Sequence, residues 1–194
     1  MLTTFRRASL AILALAGGMS SVSLSARSSI EAQASHFPAR VLALHNVERA
    51  AAGLAPLTWD ARLGLEAARY AVVLAITRRF EHSTQLSRRN TGENLWMGTR
   101  GAFSLDSMVA SWSNEKRLFK SGVFPAISRS GNWHEVGHYT QMVWPGTRRV
   151  GCALATSAAT DYLVCRYDPA GNVHGNPLFL RPQNAAFARY HSAR

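Results

Sequence analysis

The sequence predicts an α+β domain in which a small, mainly antiparallel sheet is covered by helices. Helical and strand-like patterns are interspersed along the chain without a regular strand–helix alternation, which argues against a doubly wound parallel sheet. The 194 residues are enough for one domain with a real core. With 47% hydrophobic and 17% charged residues, the composition is typical of a globular chain and excludes a wholly disordered one.

Three amphipathic patterns predict the main helices. Residues 35–52 carry buried-type side chains at spacings of three and four, and Gly53 ends this helix. Asp60 is the expected N-cap of the second helix and Ser104 that of the third. The positions expected on the inner faces are Val41, Leu44, His45, Glu48 and Ala52; Leu63, Ala67, Tyr70, Ala71 and Leu74; and Leu105, Met108, Val109, Trp112, Lys116 and Phe119.

The segments between and after these helices are shorter or irregular. A helical turn or two is expected over residues 138–144, because Pro145 and Gly146 stop it. The other expected segments are a polar, Arg-rich loop over 78–91, a short strand over 92–97, a long loop over 120–137 and an irregular tail over 170–194.

The N-terminus has the layout of a secretory signal peptide, predicted over residues 1–34. Arg6 and Arg7 precede an apolar run that small residues follow. A cut after Ala34 fits the small-x-small form that signal peptidase accepts, and a cut after Ala26 is the alternative. The apolar run is too short to span a bilayer comfortably, so we expect a secreted or periplasmic protein rather than one with an uncleaved anchor.

The two cysteines lie in a predicted hairpin. If Thr156 faces Asp161 across the turn, the antiparallel register places Cys152 opposite Cys165 at a spacing compatible with a disulfide. An even number of cysteines in an exported protein favours the same pairing, which closes a short loop and contributes on the order of 3 kcal/mol in the chain-entropy model. The alternative is two buried free thiols.

The chain is strongly basic, with a formal net charge of +11 that falls to +9 if residues 1–34, with three Arg and one Glu, are removed. This charge favours attraction to anionic surfaces such as lipid headgroups, cell-wall polymers or nucleic acid. The alternative is a solvated basic surface, because the Arg residues are scattered in pairs. No strand interleaves aromatic and Arg residues, so we expect no specific nucleic-acid binding.

Four polar side chains form a candidate site: His82, Glu93, Glu115 and His138. Two neutral imidazoles are good ligands for zinc or another divalent ion. Two nearby carboxylates can orient the rings, hold a water or act as a general base. Each also has a simpler explanation, as a solvated loop histidine, a cap of the following turn or a carboxylate that reaches out of a helix. Spacing along the chain does not bring them together.

Several motifs around these residues resemble those of the CAP superfamily, which includes cysteine-rich secretory proteins, insect venom allergens and plant pathogenesis-related proteins. His138 lies in Gly-His-Tyr-Thr-Gln-Met-Val-Trp, Glu93 in Gly-Glu-Asn-Leu and His82 in Phe-Glu-His-Ser, while Glu115 follows Trp112 by three residues. The likeness covers roughly residues 37–175 in the family's order. It extends to the motifs His45–Arg49, Pro56–Asp60, Gly151–Cys152 and Tyr162–Pro169.

The resemblance implies a three-layer α-β-α sandwich, with a CAP domain over residues 35–175 and a tail over 176–194. It implies a cleft in which the two His residues bind Zn2+ or another divalent metal, with the two Glu residues behind the rings or as a base. Family members have been linked to sterol or fatty-acid binding, defence, channel blocking and, in dispute, proteolysis. This chain departs from the family in having few cysteines and an Arg at position 166.

We therefore expect an exported binding protein for a lipid, sterol, cell-wall or anionic host-surface ligand, and not an enzyme. The alternative is a zinc-dependent extracellular hydrolase in which Glu93 or Glu115 activates water. A further alternative comes from His134-Glu135-Val136-Gly137-His138, which fits the His-Glu-x-x-His pattern of zinc peptidases. That pattern needs one helical face and a third ligand, and no Glu follows position 135 to supply one.

Overall fold

The structure, a computed structural model, describes the backbone of residues 24–179 and the side chains of residues 36–179. Residues 1–23 of the predicted signal peptide and residues 180–194 of the predicted tail lie outside the described residues. No helix within 24–179 combines the length and the hydrophobicity that crossing a bilayer requires.

The described chain contains five α-helices and two 3-10 turns. The helices are α1 (Leu24–Ala51), α2 (Ala61–Thr77), α3 (Gln85–Arg88), α4 (Leu105–Ser113) and α5 (Gly137–Met142), and the 3-10 turns cover Asn114–Arg117 and Trp133–Glu135. Both predicted caps are confirmed, since the side chain of Asp60 accepts from the amide of Leu63 and that of Ser104 from the amide of Ser107. Helix α1 already includes Leu24, the first described residue, and so extends further toward the N-terminus than the predicted residue 35; the predicted loop over 78–91 contains α3.

The strands form one four-stranded sheet and one small pair. They are β1 (Thr58–Trp59), β2 (Gly92–Thr99), β3 (Gly122–Val123), β4 (Arg149–Thr156), β5 (Thr160–Asp168) and β6 (Pro177–Leu178). The sheet order is β1-β4-β5-β2, with only β1 and β4 parallel, so the predicted α+β class with a mainly antiparallel sheet is confirmed. Strand β3 pairs with β6, where the sequence had predicted an irregular tail.

That tail prediction failed because the sequence around β6 has no alternation long enough to indicate a strand. The side chain of Leu178 is nevertheless fully buried, in a cluster with Phe124, Ile127 and Val136. Burial of one large apolar side chain contributes about 1.5–3 kcal/mol, enough to hold a two-residue strand against its partner.

The hairpin β4–β5 has the register that the sequence predicted. Thr156 pairs with Asp161 and Cys152 with Cys165, and the two cysteines form a disulfide with their Cα atoms 4.1 Å apart. Neither cysteine of the chain is free.

The side-chain alternation of β5 divides the molecule into three layers. Tyr162 and Val164 pack with the Ala-rich face of α2, whereas Leu163, Cys165 and Tyr167 belong to the larger cluster that also holds side chains of α1, α4 and α5. Helix α2 thus covers one face of the sheet, and α1, α4 and α5 cover the other. This arrangement confirms the α-β-α sandwich and decides which way each polar side chain of β2 and β5 faces.

Candidate functional site

Three of the four candidate residues line one open cleft of about 310 Å³: His82, Glu93 and His138. The cleft lies where the loop before α3, strand β2 and helix α5 meet. Glu115 lies behind His138 and faces a separate hollow together with Ser111, Asn114 and Glu135. The structure therefore brings both imidazoles to one cleft and places the two carboxylates at its wall and behind it.

His82 is held by Glu93 across the cleft wall. The Nδ1 atom of His82 lies 2.7 Å from Oε1 of Glu93, while 52% of the His82 side chain stays exposed. Since an ionised carboxylate only accepts hydrogen bonds, Nδ1 carries the proton of this contact. Nε2 is then the ring atom that can offer a lone pair to a ligand, and it has no partner among residues 36–179.

Glu93 is a fully buried carboxylate with four donors. Oε1 accepts from Nδ1 of His82 and from the amide of Ser83, the latter at 3.0 Å. Oε2 accepts from the hydroxyl of Ser83 at 2.8 Å and lies 3.0 Å from Nη2 of Arg166. Burial by itself raises the pKa of Glu93, but the hydrogen bonds from His82 and Ser83 and the charge of Arg166 outweigh it, so the pKa lies below its ordinary value. Glu93 is therefore an ionised anchor.

His138 and Glu115 form the second pair of the same kind. Nδ1 of His138 lies 2.6 Å from Oε1 of Glu115, and the imidazole stacks on the indole of Trp112 with ring centroids 6.0 Å apart and planes 17° from parallel. Oε2 of Glu115 accepts from the amides of His138 at 2.9 Å and Tyr139 at 3.0 Å. The carboxylate thus accepts from two backbone amides at the start of α5 that have no helical partner, and it also fixes the orientation of the His138 ring.

Two further motif residues hold helix α5 in place from the core. The buried guanidinium of Arg49 donates to the carbonyls of Met142, Trp144 and Thr147 at 2.9–3.1 Å, where the end of α5 leaves carbonyls without helical partners. The side-chain amide of Asn94 donates to the carbonyl of His138 at 3.0 Å. Both contacts set the position from which His138 reaches the cleft.

The third buried polar group of this network is His45, whose predicted role was packing and hydrogen bonding. Its Nδ1 lies 2.8 Å from the carbonyl of Val41, and its Nε2 lies 2.8 Å from the hydroxyl of Tyr167, which also accepts from Asn94. Burial lowers the pKa of His45 to about 4, so the ring is neutral at neutral pH. His45 supports the cleft and does not line it.

Chemically, the cleft presents two imidazoles oriented by carboxylates, beside the ring of His134, and no carboxylate oxygen without a hydrogen bond. A histidine that donates its Nδ1–H to a carboxylate and offers Nε2 is the usual arrangement of a metal ligand. The donor set fits zinc or another borderline divalent ion, with His82 and His138 as the two protein ligands. Within residues 36–179, no group of three or more His, Cys, Asp or Glu side chains is arranged to hold a metal ion.

The His-Glu-x-x-His pattern does not form the helical face that a zinc peptidase needs. His134 lies in the 3-10 turn over Trp133–Glu135, whereas His138 lies in α5, which starts at Gly137. Glu135 faces the hollow beside Glu115 and not the cleft. The two histidines of the motif therefore do not lie on one helix.

Sequence reasoning did not identify Ser83 or Arg166 as partners of Glu93. Arg166 faces Glu93 because the two are paired across β2 and β5, a register that only the folded sheet reveals. One signal was present: a charged residue between apolar neighbours in a strand buried on both faces. Gln141 was also missed as a residue that lines the cleft. A Cβ at Gly92 would lie 2.1 Å from Oε1 of Gln141, so a larger residue at position 92 would displace the Gln141 side chain.

Comparison with known proteins gives a consistent result. The profile described as "CAP: Cysteine-rich secretory protein family" matches residues 42–167. Pathogenesis-related protein 1C of Nicotiana tabacum is 37% identical over 132 residues, which cover 68% of this chain and 74% of the relative. Venom allergen 5 of Brachyponera chinensis is 30% identical over 138 residues, which cover 67% of this chain and 68% of the relative. The crystal structure of NaASP2 with Zn2+ superposes with a TM-score of 0.59 at 25% identity, covering 70% of this chain and 80% of that one.

Proposed function

The chain belongs to the CAP family, the cysteine-rich secretory proteins, and on that premise we propose that it is an exported binding protein whose cleft takes one divalent metal ion. The observation that carries the proposal is the pair of Nδ1–carboxylate contacts at His82 and His138. Both rings line the same cleft, and a ring that donates from Nδ1 keeps Nε2 as its ligand atom. The crystal structure of NaASP2 with Zn2+, a relative in fold, supports zinc as the ion.

A metal ion bound there would supply a Lewis-acidic centre for a carbonyl, carboxylate or phosphate oxygen of the ligand. The protein's own contribution is to fix the orientation of both imidazoles through Glu93 and Glu115, and to line the approach with polar side chains. Two protein donors are fewer than the four of a structural zinc site, so we expect a readily exchanged ion.

Binding is favoured over hydrolysis by the state of the two carboxylates. A general base needs an oxygen free to take a proton from water. Both oxygens of Glu93 are buried and hydrogen-bonded, and both oxygens of Glu115 accept from His138 or from backbone amides. Neither carboxylate is therefore free to act as the base of the alternative hydrolase.

Turnover by zinc-loaded protein tests this choice. Fluorogenic peptide and ester substrates would be incubated with the wild-type chain and with a double variant, His82→Ala and His138→Ala. We expect both proteins to give the same background rate. Multiple turnover by the wild type that the double change abolishes would establish the hydrolase instead.

Export is part of the proposal and rests on the N-terminal pattern together with family membership. The ligand is expected among lipids, sterols, cell-wall polymers and anionic host surfaces; the net charge of +9 that remains without residues 1–34 favours the anionic ones. Mass spectrometry of the protein recovered from medium or periplasm would show whether the mature chain starts after Ala34 or Ala26, and a chain that retains Met1 would contradict cleavage.

A further inference from the structure

A second cavity, which we call the arginine pocket, lies between α2, α3 and β5. Its volume is about 450 Å³, and its charged lining consists of Arg62, Glu66, Arg69, Arg89 and Arg166. It shares no lining residue with the metal cleft, because Ser87 and Arg89 face the pocket whereas Gln85 and Arg88 face the cleft. The short helix α3 therefore separates two different sites.

The pocket has an excess of positive charge that its own residues do not neutralise. Its one carboxylate, Glu66, already pairs with Arg62 at 2.8 Å. The guanidinium groups of Arg69 and Arg89 have no hydrogen-bond or ion-pair partner within the described part of the chain, although both are exposed at the mouth of the pocket. Convergent, unpaired arginines in a concave surface attract oxyanions, because each offers a planar fork of donors.

Arg166 supplies a buried guanidinium to the same pocket. The residue is 3% exposed, its Nη2 lies 3.0 Å from Glu93, and the ring of Tyr70 lies over its Cζ at 5.4 Å. Its Nε and Nη1 are buried and lack a hydrogen-bond partner among the described residues. A cation–π contact covers the face of the guanidinium but does not satisfy its in-plane N–H groups, and a buried unsatisfied donor is costly.

We infer that the arginine pocket binds a phosphate group, either as a free anion or as the headgroup of an anionic lipid. The donors approach from α2, from the end of α3 and from β5, and a tetrahedral anion presents oxygens in several directions, whereas a carboxylate presents two in one plane. Val73, which is 46% exposed, gives the lining of the pocket an apolar side chain, and Ile76, which is 75% exposed, lies one turn further along α2.

Phosphate titration in the presence of a chelator tests the inference apart from the metal cleft. Binding of inorganic phosphate to the metal-free full chain would be followed by calorimetry and by NMR shifts. The test variant is Arg69→Gln with Arg89→Gln. The matched control is Arg100→Gln with Arg148→Gln, which removes the same charge from two exposed residues that do not line the pocket. A second arm measures cosedimentation with neutral phosphatidylcholine vesicles and with vesicles that also contain phosphatidic acid.

We expect saturable binding that weakens at least about tenfold in the test variant and less than about twofold in the control, since two charge-assisted contacts are lost. Phosphate binding that depends on the pair identifies a free-anion site, and vesicle binding that depends on it identifies a headgroup site. The inference is overturned if neither probe responds more to the test variant than to the control. Because the chelator removes metal ions, this result is independent of the proposed metal cleft.

Discussion

The two imidazole–carboxylate pairs of the cleft share one contact and differ in what holds the carboxylate in place. The carboxylate of Glu93 is fully buried and is held by the amide and hydroxyl of Ser83 and by the guanidinium of Arg166. The carboxylate of Glu115 is 18% exposed and held by two backbone amides at the start of α5. The first pair depends on a buried ion pair that side-chain identity maintains, and the second depends on a helix terminus that any sequence in helical conformation provides.

The largest expected effect is the difference between Glu93→Gln and Glu115→Gln. The first change leaves Arg166 as a buried charge without its counter-ion, which costs about 3–5 kcal/mol of unfolding free energy. The second removes a charge near a helix N-terminus while an amide oxygen can still accept, which costs about 1 kcal/mol. Urea unfolding followed by circular dichroism measures both.

A control for this comparison is Glu93→Gln combined with Arg166→Met. Removing both buried charges leaves no unpaired ion, so the double variant should be more stable than Glu93→Gln alone. Equal losses for Glu93→Gln and Glu115→Gln, or a double variant less stable than the single one, would contradict the distinction between the two pairs.

The smaller effect concerns His45, which contrasts with both cleft imidazoles because its ring is buried away from any carboxylate. Its pKa of about 4 in the folded state lies below the ordinary 6.5. As the pH falls from 6.5 to 4, the unfolded chain takes up a proton that the folded chain does not, so stability falls by about 3 kcal/mol across that window. Above pH 6.5 this contribution to the stability is constant.

The pH effect is measured as the difference in unfolding free energy between the wild type and His45→Gln at pH 7.5 and pH 4. The variant lacks the titrating ring, so the advantage of the wild type should shrink by about 3 kcal/mol at the lower pH. A difference that does not change with pH would show that the buried ring is not held neutral.

Local rules in the sequence predicted the scaffold of the site. Asp60 and Ser104 are short polar residues before apolar-periodic segments, and both cap their helices. The strand alternation around the tight turn predicted the pairing of Cys152 with Cys165. These features depend on residues close together in the chain, where periodicity and turn chemistry carry the information.

What the sequence did not predict depends on pairing between distant segments. The contact of Arg166 with Glu93 needs the register of β5 against β2, and the burial of Leu178 needs β6 to return to β3. The membership of His82 and His138 in one site came only from the family resemblance, because 55 positions separate them in the chain. The arginine pocket likewise combines α2 with the end of β5.

The central claim is that the Nε2 atoms of His82 and His138 share one metal ion, and calorimetric titration of chelator-treated protein with Zn2+ tests it most directly. The proteins compared are the wild type, His82→Ala, His138→Ala and, as a matched control in the same cleft, His134→Ala. The account predicts one ion per wild-type chain, affinity at least about 100-fold weaker in each of the first two variants, and no more than a twofold change in the control. Undiminished binding by His82→Ala, with binding lost in His134→Ala, would contradict it.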